Sequence, residues 1–496
     1  MKAGLSLFRR IREAGGAVAF GCPDADGADP DLWAAAEEAG ITTLSLLTEA
    51  GAVVAAAAHR RSGNPLGVVL GAPTTTMGFL QKSSSGAPVL AIATAPRATG
   101  ADPGLLRVED LAALDAALAT AVRATGPVLV SIAPRVLAAG VEPGGAPDPA
   151  APAGADRTAL DEAAIDEAAH LLSLSARPVI WLGGGAAQAG EAVAEVAELL
   201  AAPIVTSTAG RGVLGDGHPL LVGSLAGASE VARLTGGADA GLAVGTSFSP
   251  RSTRNGQLPM PMQLFHVDTD PSVPGTRYPV RLGITGDAGH VLRALADRLR
   301  VHAADGAPRD LAAQEVSVGA TRDAARARLA AAAPTALLDA LRAAIPPEVP
   351  TVWDGPVARF AVPLFGVPER GTFHAAPPDS GAGWCIAASL GVATGSRKRA
   401  VAILDARGLV RRCYDLVALA QAGARVTVVA LADDWAGTSA GSEAHHVLAA
   451  RAPTPDLGGL GPAFGIPATV RAATLDALPD VLAEVPAEGP NLVVVG

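Results

Sequence analysis

Along nearly the whole chain, apolar runs of about four to six residues alternate with longer stretches of helical periodicity, and few folds accommodate that alternation. A strand buried on both faces reads as an unbroken apolar run, while a helix lying on a sheet repeats its apolar residues every three or four positions. Their regular succession marks parallel βαβ units. In the first part an amphipathic helix over 3–14 leads to strands at Gly16–Phe20, Thr42–Leu47, Val68–Leu70, Val89–Thr94 and Pro127–Ile132. Helices are expected at Leu32–Ala39, from Glu49 through His59 and Arg60, near 76–84 and over Leu111–Val122. Gly140–Arg157 is dense in Ala, Pro, Gly and Asp, with no period to bury, and reads as a linker. The second part opens with a helix over Asp161–Leu174, the strand Pro178–Leu182, Gly183-Gly184-Gly185, a helix to Leu200 and the strand Pro203–Thr206. A polar, Ala-rich connector over His302–Ala333, helix-forming around 321–332, precedes the third part, whose first helix spans 335–344. The expected fold is α/β: three doubly wound domains with mostly parallel sheets at 1–145, 158–305 and 335–496, the first and third alike in topology.

Composition narrows the function. A chain of 496 residues suits about three domains of roughly 150 residues each, and an apolar share of 49% is that of a globular protein. With 38 basic against 48 acidic residues the net charge of −10 opposes binding to a phosphate backbone, so no nucleic-acid partner is expected. Cys22, Cys385 and Cys413 are too few and scattered for a disulfide framework or a zinc site, which points to a reducing compartment. Neither a signal peptide nor an apolar run of about 18 residues is present, so the expectation is a cytoplasmic protein with no membrane partner.

Several residues carry candidate chemistry, each beside a plainer role. Glu49 lies where an apolar strand hands over to a helix, and ligands of open α/β sheets collect at strand C-terminal ends; it equally serves as a helix N-terminal charge. Asp405 ends the run Ala400–Leu404 and reads on its own as a strand-end turn residue. Gly183-Gly184-Gly185 lacks the full Gly-x-Gly-x-x-Gly spacing and reads better as a tight turn than as a pyrophosphate cradle. His266, Asp268 and Asp270 share one strand face if the strand stays extended, which would permit a metal. His445-His446 pairs two imidazoles in a long loop, either an acid and a base at a pocket mouth or an exposed pair. No nucleophile elbow and no solenoid-length repeat is found.

The succession of strand, Glu49-Ala50-Gly51-Ala52, Ala-rich helix, Asn64-Pro65-Leu66-Gly67, Val-rich strand and Pro73-Thr74-Thr75-Thr76 resembles the N-terminal domain of thiamine-diphosphate enzymes of the acetolactate synthase type. Phe20-Gly21-Cys22-Pro23 is similar to a turn of that domain, and Asp216-Gly217-His218-Pro219, Ala243–Thr246, His266–Pro271 and Gly286-Asp287-Ala288 to the central one. Gly381–Gly391, Ala400–Gly408 and Asp415-Leu416 resemble the diphosphate-binding domain, so the likeness covers almost the whole chain.

The resemblance implies thiamine diphosphate and Mg²⁺ as cofactors, with Glu49 touching the aminopyrimidine ring and starting its activation. It further implies cofactor contacts at Thr76, Gly381, Ala382, Gly383, Arg407 and Gly408, with metal ligands at Asp405 and Asp433. It implies a 2-keto acid or related carbonyl substrate, decarboxylated or joined to an acceptor. The expected assembly is a homodimer or homotetramer with the cofactor between the first domain of one subunit and the third of another. There are departures. Aligned without gaps on Asp415-Leu416, the family's metal Asp falls on Ala406 and its Asn-Asn pair on Ala432-Asp433, while a one-residue slip brings in Asp405. The bulky wedge under the cofactor is Ala382, with Trp384 two residues on, and the stretch Pro96–Leu105 is shorter than in the family. The alternatives are a degenerate, non-catalytic or regulatory subunit pairing with a complete homologue, or an enzyme of this fold with another ligand in the cleft. A flavin or nucleotide at the central domain is left open.

Overall fold

The computed structural model describes residues 2–24, 28–71, 77–84, 87–94, 104–109, 113, 126–140, 160–302, 306–377, 380–432 and 456–496. They form three six-stranded sheets in which every described strand register is parallel. The first is built from β1 (Val18–Gly21), β2 (Thr42–Ser45), β3 (Val68–Leu70), β4 (Leu90–Thr94), β5 (Leu105–Val108) and β6 (Val128–Ile132), in the order β2-β1-β3-β4-β6-β5. The second holds β7 (Pro178–Leu182), β8 (Ile204–Thr206), β9 (Leu221–Gly223), β10 (Ala240–Val244), β11 (Gln263–Asp268) and β12 (Leu282–Thr285), ordered β12-β11-β10-β7-β8-β9. The third holds β13 (Thr351–Trp353), β14 (Phe373–Ala375), β15 (Ala400–Asp405), β16 (Val426–Leu431), β17 (Ala468–Ala472) and β18 (Asn491–Val495), ordered β14-β13-β15-β16-β18-β17. Counted within each sheet, the first and third run second, first, third, fourth, sixth, fifth, while the second has the 3-2-1-4-5-6 order of doubly wound dinucleotide folds. The apolar runs explain the interior strands: β4, β6, β15 and β16 are buried at every residue, as strands covered on both faces must be.

Two stretches depart from the sequence-based expectation. Leu105–Val108 is a strand, unannounced because it is short, lies at the sheet edge and carries the exposed Arg107. The connector is a helix over Leu311–Ala330, begun ten residues earlier than its Ala and Arg content suggests, because Asp310 caps it by accepting from the Ala313 N–H at 2.9 Å. The helix expected at 111–122 lies outside the described residues save for Ala113. No helix among the described residues is long and apolar enough to cross a membrane.

The chain forms two compact units: Met1–Gly154 with Val349–Pro356 and Ala376–Gly496, and Ala155–Glu348 with Val357–Ala375. In the first unit the first and third sheets share one core, which mixes Phe20, Ala52–Ala58 and Leu129 with Ile386, Leu390, Val428 and Leu492. The helices Glu49–Arg61 and Trp384–Ser396 cross within it at backbone distance. A Cβ on Gly391 would stand 2.0 Å from the Ala55 carbonyl oxygen, and one on Gly395 would stand 2.8 Å from that of His59. His59, 2% exposed, meets the Thr394 hydroxyl through Nδ1 at 3.1 Å, and burial lowers its pKa to about 4, so it sits there neutral.

In the second unit Val357–Ala375 is held by arginines that satisfy its carbonyls. Arg211, 4% exposed, donates to Val362 and Phe365 and pairs with Asp216 at 2.7 Å; Arg326 donates to Leu364 and Arg342 to Gly366. Gly183 and Gly185 pack against the Gly245 backbone, where a Cβ on Gly183 would lie 2.1 Å from the Gly245 carbonyl oxygen, which is the tight-turn role.

Because the Gly391 crossing has no room for a side chain, Gly391→Val is expected to lower stability by at least about 2 kcal/mol, as overpacking does. Denaturant unfolding of the full chain measures it; an unchanged midpoint contradicts the crossing.

Candidate cofactor site

In open sheets the ligand crevice lies where neighbouring strands leave in opposite directions, beyond their C-terminal ends. In the third sheet that point falls between β13 and β15, paired through Trp353 and Ile403. Two carboxylates stand there. Asp354 follows β13 directly and is 4% exposed; Asp405 is the last residue of β15 and is 5% exposed. Each is folded back onto the helix start beside it. Asp354 Oδ1 accepts from the Gly355 N–H at 2.6 Å and Oδ2 from the Cys385 N–H at 3.4 Å, while Asp405 Oδ1 accepts from the Gly408 N–H at 2.7 Å.

Glycines make the close approach possible. A Cβ on Gly408 would stand 2.8 Å from Asp405 Oδ1, and one on Gly355 at 3.2 Å from the same oxygen. Gly381 and Gly383 have φ of 75° and 87°, a left-handed turn that delivers the chain into the helix Trp384–Ser396. Burial raises the Asp354 carboxyl above its ordinary value, and the neighbouring Asp405 charge adds to that. The Cys385 thiol is pushed well up by burial, with Asp354, Asp405 and Asp415 contributing, and stays a neutral buried group.

The other carboxylate candidate belongs to the first sheet. Glu49, half-buried, is the first residue of its helix, reached from β2 through Thr48, whose Oγ1 accepts from the Gly51 N–H at 3.0 Å. The same helix makes the crossing with Trp384–Ser396, so Glu49 and the Gly381–Gly383 turn head two helices packed together.

Of the residues expected from sequence, Asp405, Arg407 and Gly408 lie at the β15 end, where a Cβ on Gly383 would stand 2.6 Å from the Gly408 carbonyl oxygen; Gly381 and Ala382 lead into that turn, and Ala406 is the first residue of the helix that Asp405 caps. Arg407 and Ala382 are half-buried, whereas Trp384 lies in the core at 4% exposure. Thr76, Asp433 and His445-His446 lie outside the described residues. The metal face imagined in the second sheet does not form. β11 ends at Asp268, His266 is buried with Nε2 2.9 Å from the Thr246 carbonyl oxygen, and Asp268 and Asp270 accept from N–H groups two residues on, turning the chain. Among the described residues no three His, Cys, Asp or Glu side chains gather closely enough to hold a metal by themselves.

Sequence reasoning passed over two acids. Asp354-Gly355 repeats the pattern of a strand run ending in Asp and was the signal available. Asp415, taken only as an alignment anchor, is 1% exposed; neither carboxylate oxygen has a hydrogen-bond partner among the described residues, and Arg412 Nη1 is 3.8 Å away. Burial raises its pKa to about 6 against the pull of Arg412.

Comparison with known proteins reaches the first and second parts of the chain. Residues 1–122 match the family model described as thiamine pyrophosphate enzyme, N-terminal TPP binding domain, and residues 165–295 the central domain of the same enzymes. The chain belongs to the thiamine pyrophosphate enzyme superfamily. It is 38% identical over 180 residues to a probable 2-ketoarginine decarboxylase, AruI, of Pseudomonas aeruginosa, covering 36% of this chain and 32% of that protein. It is 36% identical over 146 residues to a sulfoacetaldehyde acetyltransferase of Rhodobacter capsulatus, covering 28% of this chain and 25% of the relative. With a probable acetolactate synthase large subunit of Methanocaldococcus jannaschii it shares 33% identity over 132 residues, 26% of this chain and 22% of the relative. The matches thus span about a third or less of these relatives' own lengths.

The folded state holds the Asp415 proton up to about 6 against an ordinary 3.8, so it binds that proton more tightly than the unfolded chain does. Stability contributed this way is present below the lower value and is lost as pH rises through the upper one. Asp415→Asn is expected to remove that loss, on the order of 2 to 3 kcal/mol between pH 4 and pH 8. Urea unfolding of both proteins across that range checks it, and parallel pH profiles contradict it.

Proposed function

We propose that the protein is a thiamine-diphosphate-dependent enzyme that cleaves or forms a carbon–carbon bond next to the carbonyl of a 2-keto acid or a related substrate. The observation that carries this is the pair of buried acids, Asp354 and Asp405, at the switch point of the third sheet, with Glu49 heading a helix that starts beyond a strand end of the first. The two family matches and the small-carbonyl chemistry named in the relatives support it.

The donors suit the group. The oxygens of Asp354 and Asp405 are hard ligands of the kind Mg²⁺ takes, and a divalent cation would relieve the repulsion between these carboxylates. With the Gly408 and Cys385 amides engaged by the two acids, a diphosphate here would depend on a cation held by those acids and on the groups left over, Arg407 among them. In this reading Asp405, with Asp354 beside it and Asp433, would hold the metal. The Gly381–Gly383 turn, Arg407 and Gly408 would hold the diphosphate, and Thr76 would hold the cofactor from the first domain. When bound, thiamine diphosphate supplies the electron sink that accepts charge as a carboxylate or acyl group departs. Glu49 holds and returns a proton at the aminopyrimidine ring. Ala382 leaves space under the ring that a bulkier residue would take. The proposed setting is a cytoplasmic homodimer or homotetramer.

Thiamine diphosphate with Mg²⁺ at 100 times its dissociation constant is expected to stabilise the protein by about 2.7 kcal/mol, read as a rise in melting temperature. Asp405→Ala is expected to abolish the metal dependence. Glu49→Gln is expected to slow release of carbon dioxide from 2-keto acids at least about tenfold, about 1.4 kcal/mol of barrier. No thermal shift with either component rejects the proposal in favour of a non-catalytic subunit.

A further inference from the structure

We propose that Asp415 is a positioning residue for Glu49: lodged against the first turn of the helix Glu49–Arg61, its carboxylate fixes where that helix starts and sets the charge beside which Glu49 works. This deepens the function proposed above and rests on it for the task of Glu49.

The geometry is specific. Asp415 Oδ1 lies 3.2 Å from where a Cβ on Gly51 would stand, and Thr48 Oγ1 lies 3.0 Å from the same point. Thr48 Oγ1 caps the Gly51 N–H, so the acid, the cap and the first turn meet at one spot that glycine leaves open. The first N–H groups of a helix carry partial positive charge, which attracts a carboxylate that makes no hydrogen bond to them. The charged and titratable groups around Asp415 are few. Its own helix, Asp415–Gln421, has no other, and Arg412 one turn before it divides its Nη1 between the carboxylate at 3.8 Å and the Tyr414 hydroxyl at 2.9 Å. From Trp384–Ser396 comes Cys385, neutral in its burial, and β2 offers only Thr42, Thr43, Leu44 and Ser45. The helix turn that Asp415 meets at Gly51 begins with Glu49.

A buried carboxylate without a hydrogen-bond partner disfavours folding when ionised, and a neutral side chain of the same shape would not. A structural filler explains neither its charge nor its place. Two carboxyl groups at one helix start compete for the same positive end, so the state of one alters the other.

The test is a double-mutant cycle on the ligand-free full chain, with urea unfolding of wild type, Asp415→Asn, Glu49→Gln and the double variant at pH 8 and pH 5. At pH 8 the unfolding constant of the double variant is expected to depart from the product of the single effects by at least about fivefold. The departure should shrink at pH 5, where Asp415 takes up its proton. Additivity within about twofold at pH 8 overturns the inference. If Asp415→Asn does not fold, Gly51→Ala, which crowds both Oδ1 and Thr48, replaces it in the same cycle with the same criterion. Calorimetric titration of thiamine diphosphate with Mg²⁺ separates the two proposals. If the wild type takes up none, the proposed function fails while the ligand-free cycle still decides the role of Asp415. If it binds, Asp415→Asn is expected to weaken binding at least tenfold, and unchanged affinity counts against positioning.

Discussion

The contact on which the first unit depends is the crossing of two helix backbones at Ala55 and Gly391, where 2.0 Å separates a carbonyl oxygen from the place a Cβ would occupy. Both helices are rich in small residues, with Ala52 and Ala55–Ala58 on one and Ala387, Ala388, Gly391 and Ala393 on the other. Small side chains bury little apolar area each, so such helices gain their attraction from close approach and many weak contacts. One core therefore serves two sheets that are far apart in sequence, and the helix starts carrying Glu49 and Gly383 are fixed relative to one another.

That rigidity matters because of what the helix starts carry. Asp354, Asp405 and Asp415 are all nearly buried, and two of the three face positively polarised amides. Backbone N–H groups at a helix start stabilise negative charge, but they do not cancel the repulsion between acids in a poorly solvated region. The raised values at Asp354 and Asp415 show where the tension lies, while Cys385 among them stays neutral. A cation at the switch point would remove it for the first pair, as protonation would for Asp415.

The sequence made the domain-scale pattern legible because burial on both faces writes itself as an apolar run, and strands β4, β6, β15 and β16 all carry that mark. It hid β5, whose edge position tolerates Arg107, and it hid the length of Leu311–Ala330, where a single cap at Asp310 outweighs a weak apolar period. At the site, Asp405 and the glycine turn were legible from strand-end logic. Asp354 obeys the same logic and was missed for want of a Gly-rich sequel longer than Gly355. The shared core of the first and third sheets had no local sign, because helix crossing is a property of two segments and neither alone predicts its partner.

Asp415 is invisible to sequence reasoning for a further reason. Its meaning comes from Thr48 and Gly51, over 360 residues away in the chain and in contact only because the Ala55–Gly391 crossing brings the two sheets together. The small residues of the crossing and the lone acid beyond it are thus parts of one arrangement. A larger side chain at Gly391 would part the helices, leave Asp415 facing no helix start, and remove both the attraction that offsets its burial and the field it exerts near Glu49. The backbone contact in the core and the charge at the site are in this way coupled through a rigid pair of helices.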